Sequence, residues 1–425
     1  MKLLLVGSGG REHALAWKLK ESPHLTHLFC APGNAGMARL GTCVPIKADD
    51  ITGLLAFAHD MHIDLTVVGP EAPLAAGIVD VFQKENLPVF GPTRAAAQIE
   101  ASKSFAKTIM RRQGIPTAAA KRCTSLDMAL KGLDEFQPPY VIKADGLAAG
   151  KGVTIAPTRA EAEGAIREAM ERKVFGEAGN LVLLEEHLDG EEVTVFGLSD
   201  GTRVLAMPAA QDHKRVFDGD RGPNTGGMGA YSPVPHLPGG IVEEATEKVL
   251  MPAVAGMAEQ GTPYRGLLYA GLILTTKGMK VIEFNCRFGD PETQVILPRL
   301  EDDLLLLMME SLGTGFKRDK LSFSDDAAVC VVAASGGYPG SYPSGHVIHG
   351  LEEAESAGAR VFHAGTALDN DEVRTAGGRV LNVVGVAPTI EEAAARAYAA
   401  LEKISFEGMH YRRDIAHRAL RRTTT

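Results

Sequence analysis

Within its first hundred residues the chain alternates short apolar runs with helical patterns, and that alternation leaves few folds open to it. Residues 2–6, 27–30, 65–68 and 89–90 read as strands, with helices at 14–20, 54–59 and 77–84 between them. A strand followed by a helix can return beside its predecessor only as a parallel neighbour. The expectation is a doubly wound parallel sheet, whose ligands lie beyond the carboxyl ends of the strands.

Further on, residues 102–113 read as a helix with Ser102 as its cap. Residues 118–186 hold strand, helix, strand, glycine-rich turn, strand, helix (159–172) and strand (181–184), the pattern of a small α+β unit on hinges. Residues 211–238 are rich in Gly, Pro, Asp and Asn and read as one long irregular stretch, a length usually kept for function. Strands recur at 267–275 and 279–284, followed by a helix around 302–312. After residue 323 the pattern resets, with strands at 327–334, 360–363 and 381–387 and a helix at 390–402. We therefore expect an α/β and α+β multidomain chain. Its parts are an N-terminal doubly wound domain (1–101), a core (102–122 and 187–325), a lid (123–186) and a mixed C-terminal domain (326–425).

Composition narrows the function. The 44 basic and 53 acidic residues leave a net charge of -9 with no dense basic patch, so nucleic acid is not an expected partner. Five scattered cysteines without a C-x-x-C pair fit reduced thiols. No apolar run approaches the ~18 residues of a membrane span, and the first one is too short for a signal peptide. A cytoplasmic chain is expected. The histidines show no zinc spacing. The 47 glycines are a surplus, and the informative ones cluster where backbone must turn or approach a ligand.

Four segments carry chemistry. After the first strand, Gly7-Ser8-Gly9-Gly10-Arg11-Glu12-His13 turns into a helix start whose free N–H groups suit an anion. It is a poor dinucleotide fingerprint, since the third glycine position falls on Glu12. Gly69-Pro70-Glu71 sets a carboxylate at another strand end. In Tyr140-Val141-Ile142-Lys143-Ala144 a lysine stands inside an apolar strand and needs an anionic partner. A glycine-rich turn with Lys151 follows. It is not a P-loop, because the spacing is one residue short and Gly152 stands for Ser or Thr. Residues 181–193 are a buried strand leaving into an acidic hinge. Last, Glu283, Asn285 and Arg287 fall at i, i+2 and i+4, on one face of a strand. Two oxygen ligands beside a guanidinium suit a magnesium nucleotide and an anionic intermediate.

In this order the pieces resemble the ATP-grasp superfamily: strand lysine, glycine lid loop, acidic hinge, and E-x-N with a following arginine. Within it the chain is similar over essentially its whole length to the glycinamide ribonucleotide synthetase family. The most specific words are residues 7–13, residues 283–292, and Gln211-Asp212-His213-Lys214-Arg215 through Asn224-Thr225-Gly226-Gly227-Met228-Gly229. The resemblance implies that Lys103 and Lys143 contact ATP phosphates, while Gly146, Gly150, Lys151 and Gly152 close over the triphosphate. It assigns Glu185, Glu186 and Leu188 to an adenine hinge and Glu192 to the ribose, and counts Phe284 with the nucleotide set. Glu283 and Asn285 would bind Mg2+, with Mn2+ an alternative. Gly9, Gly10, Arg11, Glu12, His13 and Glu71 would meet 5-phosphoribosylamine, and Asp212 the ammonium of glycine. Lys214, Arg287, Asp290 and Glu292 complete the implied substrate set, and Lys143, Arg287 and Asp212 the catalytic one.

The implied reaction begins when the carboxylate of glycine attacks the γ-phosphate of ATP, giving glycyl phosphate and ADP. The amine of 5-phosphoribosylamine then takes the acyl group and phosphate leaves, yielding glycinamide ribonucleotide in de novo purine biosynthesis. A transient contact with the enzyme that supplies the unstable amine is implied too. One departure stands out: residues 266–276 lack the acid that many ATP-grasp enzymes place on the strand before E-x-N. The alternatives are an ATP-grasp ligase activating formate or bicarbonate, a nicotinamide-dependent dehydrogenase resting on residues 7–10, and a catalytically silent ATP-binding module.

Overall fold

The computed structural model describes residues 1–147 and 152–422, so Gly150 and Lys151 lie outside the described residues. Leu3, Leu4, Leu5 and Val6 are wholly buried, as a strand covered on both faces requires. Strand Lys2–Gly7 is the centre of a five-stranded sheet with order Thr42–Cys43, His27–Pro32, Lys2–Gly7, Leu65–Val68, Val89–Phe90. All its pairings are parallel. Strand order reverses beside Lys2–Gly7, and the crevice at such a switch point is where open sheets hold ligands. Gly7 and Gly69 rim that crevice. A Cβ on Gly7, whose φ is +124°, would lie 2.6 Å from Glu12, and one on Gly69 would also collide with that side chain. Helix Gly10–Lys20 can therefore start only over two residues without side chains.

Ser102 caps helix Lys103–Arg112 as expected, its hydroxyl accepting the Phe105 N–H at 3.1 Å. The lid is an antiparallel sheet of Ala120–Cys123, Val182–Glu185, Tyr140–Ala144 and Val153–Ala156 under helices Leu126–Gly132 and Arg159–Met170. It has its own apolar core around Ile142, Ile166 and Leu184. A second antiparallel sheet, Val204–Ala206, Glu191–Asp200, Arg265–Thr275 and Gly278–Asn285, forms the floor below it.

Residues 211–238 depart from the irregular stretch we expected. They contain four short strands, Gln211–Asp212, Arg215–Phe217, Arg221–Asn224 and Gly229–Ser232. Two to four residues are too few for periodicity to register. Arg215–Phe217 and Arg221–Asn224 pair as a hairpin. Its turn residue Asp220 is held from the far end of the chain by Arg412 at 2.8 Å and Arg418 at 2.7 Å. The other two strands extend the C-terminal sheet, whose order is Gln211–Asp212, Gly229–Ser232, Ala327–Ala334, Arg379–Ala387, Arg360–His363. That sheet thus draws strands from both sides of residue 325.

The N- and C-terminal parts meet on buried histidines. His363 donates its backbone N–H to His13 Nδ1 at 2.7 Å, and Asn34 Nδ2 bridges the carbonyls of Ser8 and His363 at 2.8 and 2.9 Å. Burial, with the neighbouring His363 next, holds His13 well below the usual imidazole range. Burial brings His363 down to about 4. A folded pKa below the unfolded one means that the unfolded chain binds the extra proton first. Stability contributed by these neutral rings is complete above about 6.5 and is lost as pH falls toward about 4. For His363 alone the loss at pH 5 comes to about 2 kcal/mol. Denaturant melts at pH 7 and pH 5 should thus differ less for His363→Gln than for the parent chain; an equal drop in both would place the acid sensitivity elsewhere.

Candidate active site

Lys143 has the anionic partner its strand demanded. Only 6% exposed, it lies 2.9 Å from Glu185 Oε2 and donates to the Ile282 carbonyl at 3.2 Å. Glu185, 3% exposed, is shared with Lys107 at 3.3 Å, and its Oε1 is buried with no hydrogen-bond partner. Lys103, one helical turn before Lys107, donates to the Gly146 carbonyl at 3.0 Å, where the lid loop begins. Burial lowers the Lys103 ammonium pKa, with Glu283 opposing and Lys143 adding to the shift. Lys103, Lys143 and Glu283 therefore share one electrostatic environment between lid and floor. Gly152, at the far end of that loop, accepts the Ala144 N–H at 2.8 Å. Asp145 fixes the near end by accepting from Ser104 N–H at 3.0 Å and Ser104 Oγ at 2.7 Å.

Of the expected hinge, Glu186 ties lid to core. Its N–H donates to the Ala119 carbonyl at 2.9 Å, and its carboxylate accepts from Ala119 N–H and Lys280, both at 3.2 Å. Leu188 is half-buried just beyond it. Phe284 is buried in the main core, on the opposite strand face from its neighbours Glu283 and Asn285.

The E-x-N strand corrects one expectation: it ends at Asn285, so Arg287 does not share its face. Arg287 instead spans four acceptors, Glu71 at 3.2 Å, Glu100 at 3.3 Å, Asn285 Oδ1 at 3.3 Å and the Phe288 carbonyl at 3.2 Å. Burial opposes its charge, but Glu100 and then Glu71 hold the guanidinium pKa above its usual value. Glu100 also accepts the Cys286 N–H at 2.7 Å. Cys286 itself is buried and serves as packing.

The helix start after the first strand is also less open than its sequence suggested. Glu12 Oε2 takes the Gly9 N–H at 2.6 Å while Arg11 Nε donates to Glu12 Oε1 at 2.6 Å, so this end carries its own carboxylate. Arg11 also reaches the Phe288 carbonyl at 2.9 Å. Gly10 packs against Asn382 and Gln294. His13 points into the contact with His363 described above, and His213 accepts the Ala416 N–H at 3.0 Å. Both rings are buried.

A third group joins the loop to the floor. Lys214 lies between Asp212, at 3.3 Å, and Glu192. Nearby, Glu292 accepts the Tyr269 hydroxyl at 2.9 Å, and burial, then Asp212, pushes its pKa up to about 7. Asp290 accepts from Gln294 at 2.7 Å and pairs with Arg379 at 3.4 Å.

Glu283 and Asn285 suit a hard divalent cation. Among the described residues the Glu283 side chain makes no hydrogen bond or ion pair, and no cluster of three or more His, Cys, Asp or Glu side chains could enclose a metal. Two protein oxygens leave the remaining positions to phosphate oxygens and water, the usual habit of Mg2+. Opposite them on the neighbouring strand stand Gly271 and Tyr269, not the second acid seen in many ATP-grasp enzymes.

A lysine-lined cleft under a hinged antiparallel lid, closed below by a strand ending in E-x-N, defines an ATP-grasp ligase, a class that uses ATP and a divalent metal. Residues 1–100, 101–293 and 328–418 match in turn the N, ATP-grasp (A) and C domains of phosphoribosylglycinamide synthetase. The chain belongs to that family. It is 50% identical over 425 residues to the phosphoribosylamine–glycine ligase of Pseudomonas aeruginosa, covering 99% of each. The crystal structure of phosphoribosylamine–glycine ligase from Thermotoga maritima aligns with a TM-score of 0.87 at 34% identity, covering 98% of this chain and 100% of that one. A Campylobacter jejuni biotin carboxylase aligns with a TM-score of 0.75 over 96% of this chain and 92% of its own, and at 15% identity it shares the fold alone. No described helix is long and apolar enough to cross a membrane.

Lys107, Glu100, Ser104 and Asp145 escaped sequence reasoning. Lys107 had a signal, its i+4 spacing from Lys103. Glu100 had none, because its partners lie 186 and 187 positions along the chain.

Proposed function

We propose that the cleft between lid and floor performs both half-reactions of an ATP-dependent carboxylate–amine ligation, with Lys143, Glu283, Asn285 and Arg287 as its working residues. The overall reaction is that of phosphoribosylamine–glycine ligase: glycine is joined to 5-phosphoribosylamine with ATP, in de novo purine biosynthesis. What supports the site assignment is one observation, that Lys103 feels the charges of both Glu283 and Lys143 while Asn285 touches Arg287.

On this reading Lys103 and Lys143 hold the phosphates of ATP. Glu283 and Asn285 are the residues to hold Mg2+ or Mn2+, which when bound neutralises phosphate charge. Attack of the glycine carboxylate on the γ-phosphate gives glycyl phosphate. Asp212 and Glu292 take the ammonium of glycine, and Lys214, paired with Asp212, completes the substrate set. Glu71, Arg11 and the 9–13 turn orient 5-phosphoribosylamine, and Arg287 faces the oxyanion formed as the amine attacks. Five free thiols fit a cytoplasmic setting, and the unstable amine favours brief contact with the enzyme that makes it.

Glycine dependence tests the reading. With magnesium, ATP and 5-phosphoribosylamine generated in place, ADP release should require glycine. If formate or bicarbonate supports release and glycine does not, the chain activates a different acid.

A further inference from the structure

Lys107 has no part in the site as assigned above, yet its surroundings are those of a working residue. Its side chain is 12% exposed and its ammonium makes three contacts: Glu185 Oε2 at 3.3 Å, Thr117 Oγ1 at 2.9 Å and the Ala118 carbonyl at 3.0 Å. Thr117 and Ala118 lead into the lid, and Glu185 is the last residue of the strand leading out of it. Thr117 passes the tie on, donating to the Val281 carbonyl at 2.7 Å on the strand that ends in Asn285. Lys107 is thus anchored to both hinges and, through Thr117, to the floor.

Charge gives the anchor its meaning. Glu185 Oε2 accepts from Lys143 at 2.9 Å as well as from Lys107. One carboxylate between two ammoniums leaves a net positive charge. If Glu185 faced Lys143 alone, the pair would be neutral and the lysine's pull on a phosphate largely cancelled. Burial lowers the Lys107 pKa, with Glu185 opposing, so holding this second cation there has a cost that packing alone would not require.

We propose that Lys107 is a positioning residue for the nucleotide: by sharing Glu185 with Lys143 and holding both lid hinges, it leaves the Lys143 ammonium uncompensated for the phosphates. The proposal rests on the nucleotide reading of the cleft. It acts through Lys143 and Glu185, with no contact between Lys107 and the reacting atoms.

The test uses the full chain and ADP as probe. Lys107→Gln should raise the Kd for ADP and the KM for ATP at least about tenfold while the KM for glycine moves less than threefold. Lys107→Arg, which keeps the charge, should stay within about threefold of the parent. In a Glu185→Gln background the carboxylate to be offset is gone, so adding Lys107→Gln should change ADP affinity by less than about twofold. Unchanged ADP affinity in Lys107→Gln overturns the proposal, and so does an effect of equal size in the Glu185→Gln background. Lys107→Met is made in parallel, and if neither neutral variant folds the residue is a structural strut and the proposal falls. A parent chain that binds neither ADP nor ATP instead defeats the nucleotide reading itself.

Discussion

Lys143→Ala is expected to lower kcat by at least ~10²-fold, measured as glycine-dependent ADP release at saturating ATP. The ammonium stands on a rigid strand, 2.9 Å from Glu185, and is preorganised rather than recruited. Charge stabilisation of phosphoryl transfer is worth most where water is excluded, and this side chain is almost wholly buried. Among the described residues the substitution also leaves Glu185 with Lys107 as its single ion-pair partner. Lys107 cannot take over, because it is tied to Thr117 and Ala118 at the hinge. A variant keeping a tenth or more of parental turnover would remove Lys143 from the reaction.

The second large effect is on stability as much as on rate. Arg287→Ala should destabilise the chain by about 3–5 kcal/mol, since it strips the buried Glu100 carboxylate and the half-buried Glu71 of their shared cation. Glu100 and Glu71 lie 3.3 and 3.2 Å from that guanidinium, and Glu100 is the more buried of the two. The Glu71 carboxyl, which burial would push up, is held below its usual range chiefly by Arg287 and then Arg11. Without Arg287 that support falls mainly to Arg11. Adding Glu100→Gln to Arg287→Ala should therefore recover part of the lost stability in denaturant titration, while activity stays low. If Arg287→Ala melts like the parent, the three groups are not coupled as their geometry requires.

The residues that local pattern could deliver are those whose placement is written in their own strand. Lys143 in an apolar run and Glu283 with Asn285 two apart at a strand end are legible because burial and alternation are local properties. The cap at Ser102 was legible for the same reason. Arg287 shows where this stops. Spacing put it on the face of Glu283 and Asn285, but the strand ends at Asn285 and Glu71, 216 positions away, takes the guanidinium. The helix start at residues 9–13 reads as free for an anion only until Glu12, at the third helical position, is seen to fold back onto the Gly9 N–H as the acidic half of a capping box.

By itself the sequence determined the parallel N-terminal sheet, the order of lid and floor, and the residue types at the strand ends, since each follows from periodicity, capping or the solvation cost of a buried charge. Only the tertiary structure decided which carboxylate each cation would share. It also decided that the Gln211–Asp212 and Gly229–Ser232 strands complete a C-terminal sheet, and that Lys107 closes the circuit between both lid hinges and Lys143. Those choices are pairings between groups far apart in the chain. They depend on which surfaces the packed elements bring within a few ångströms, and no local signal carries that information.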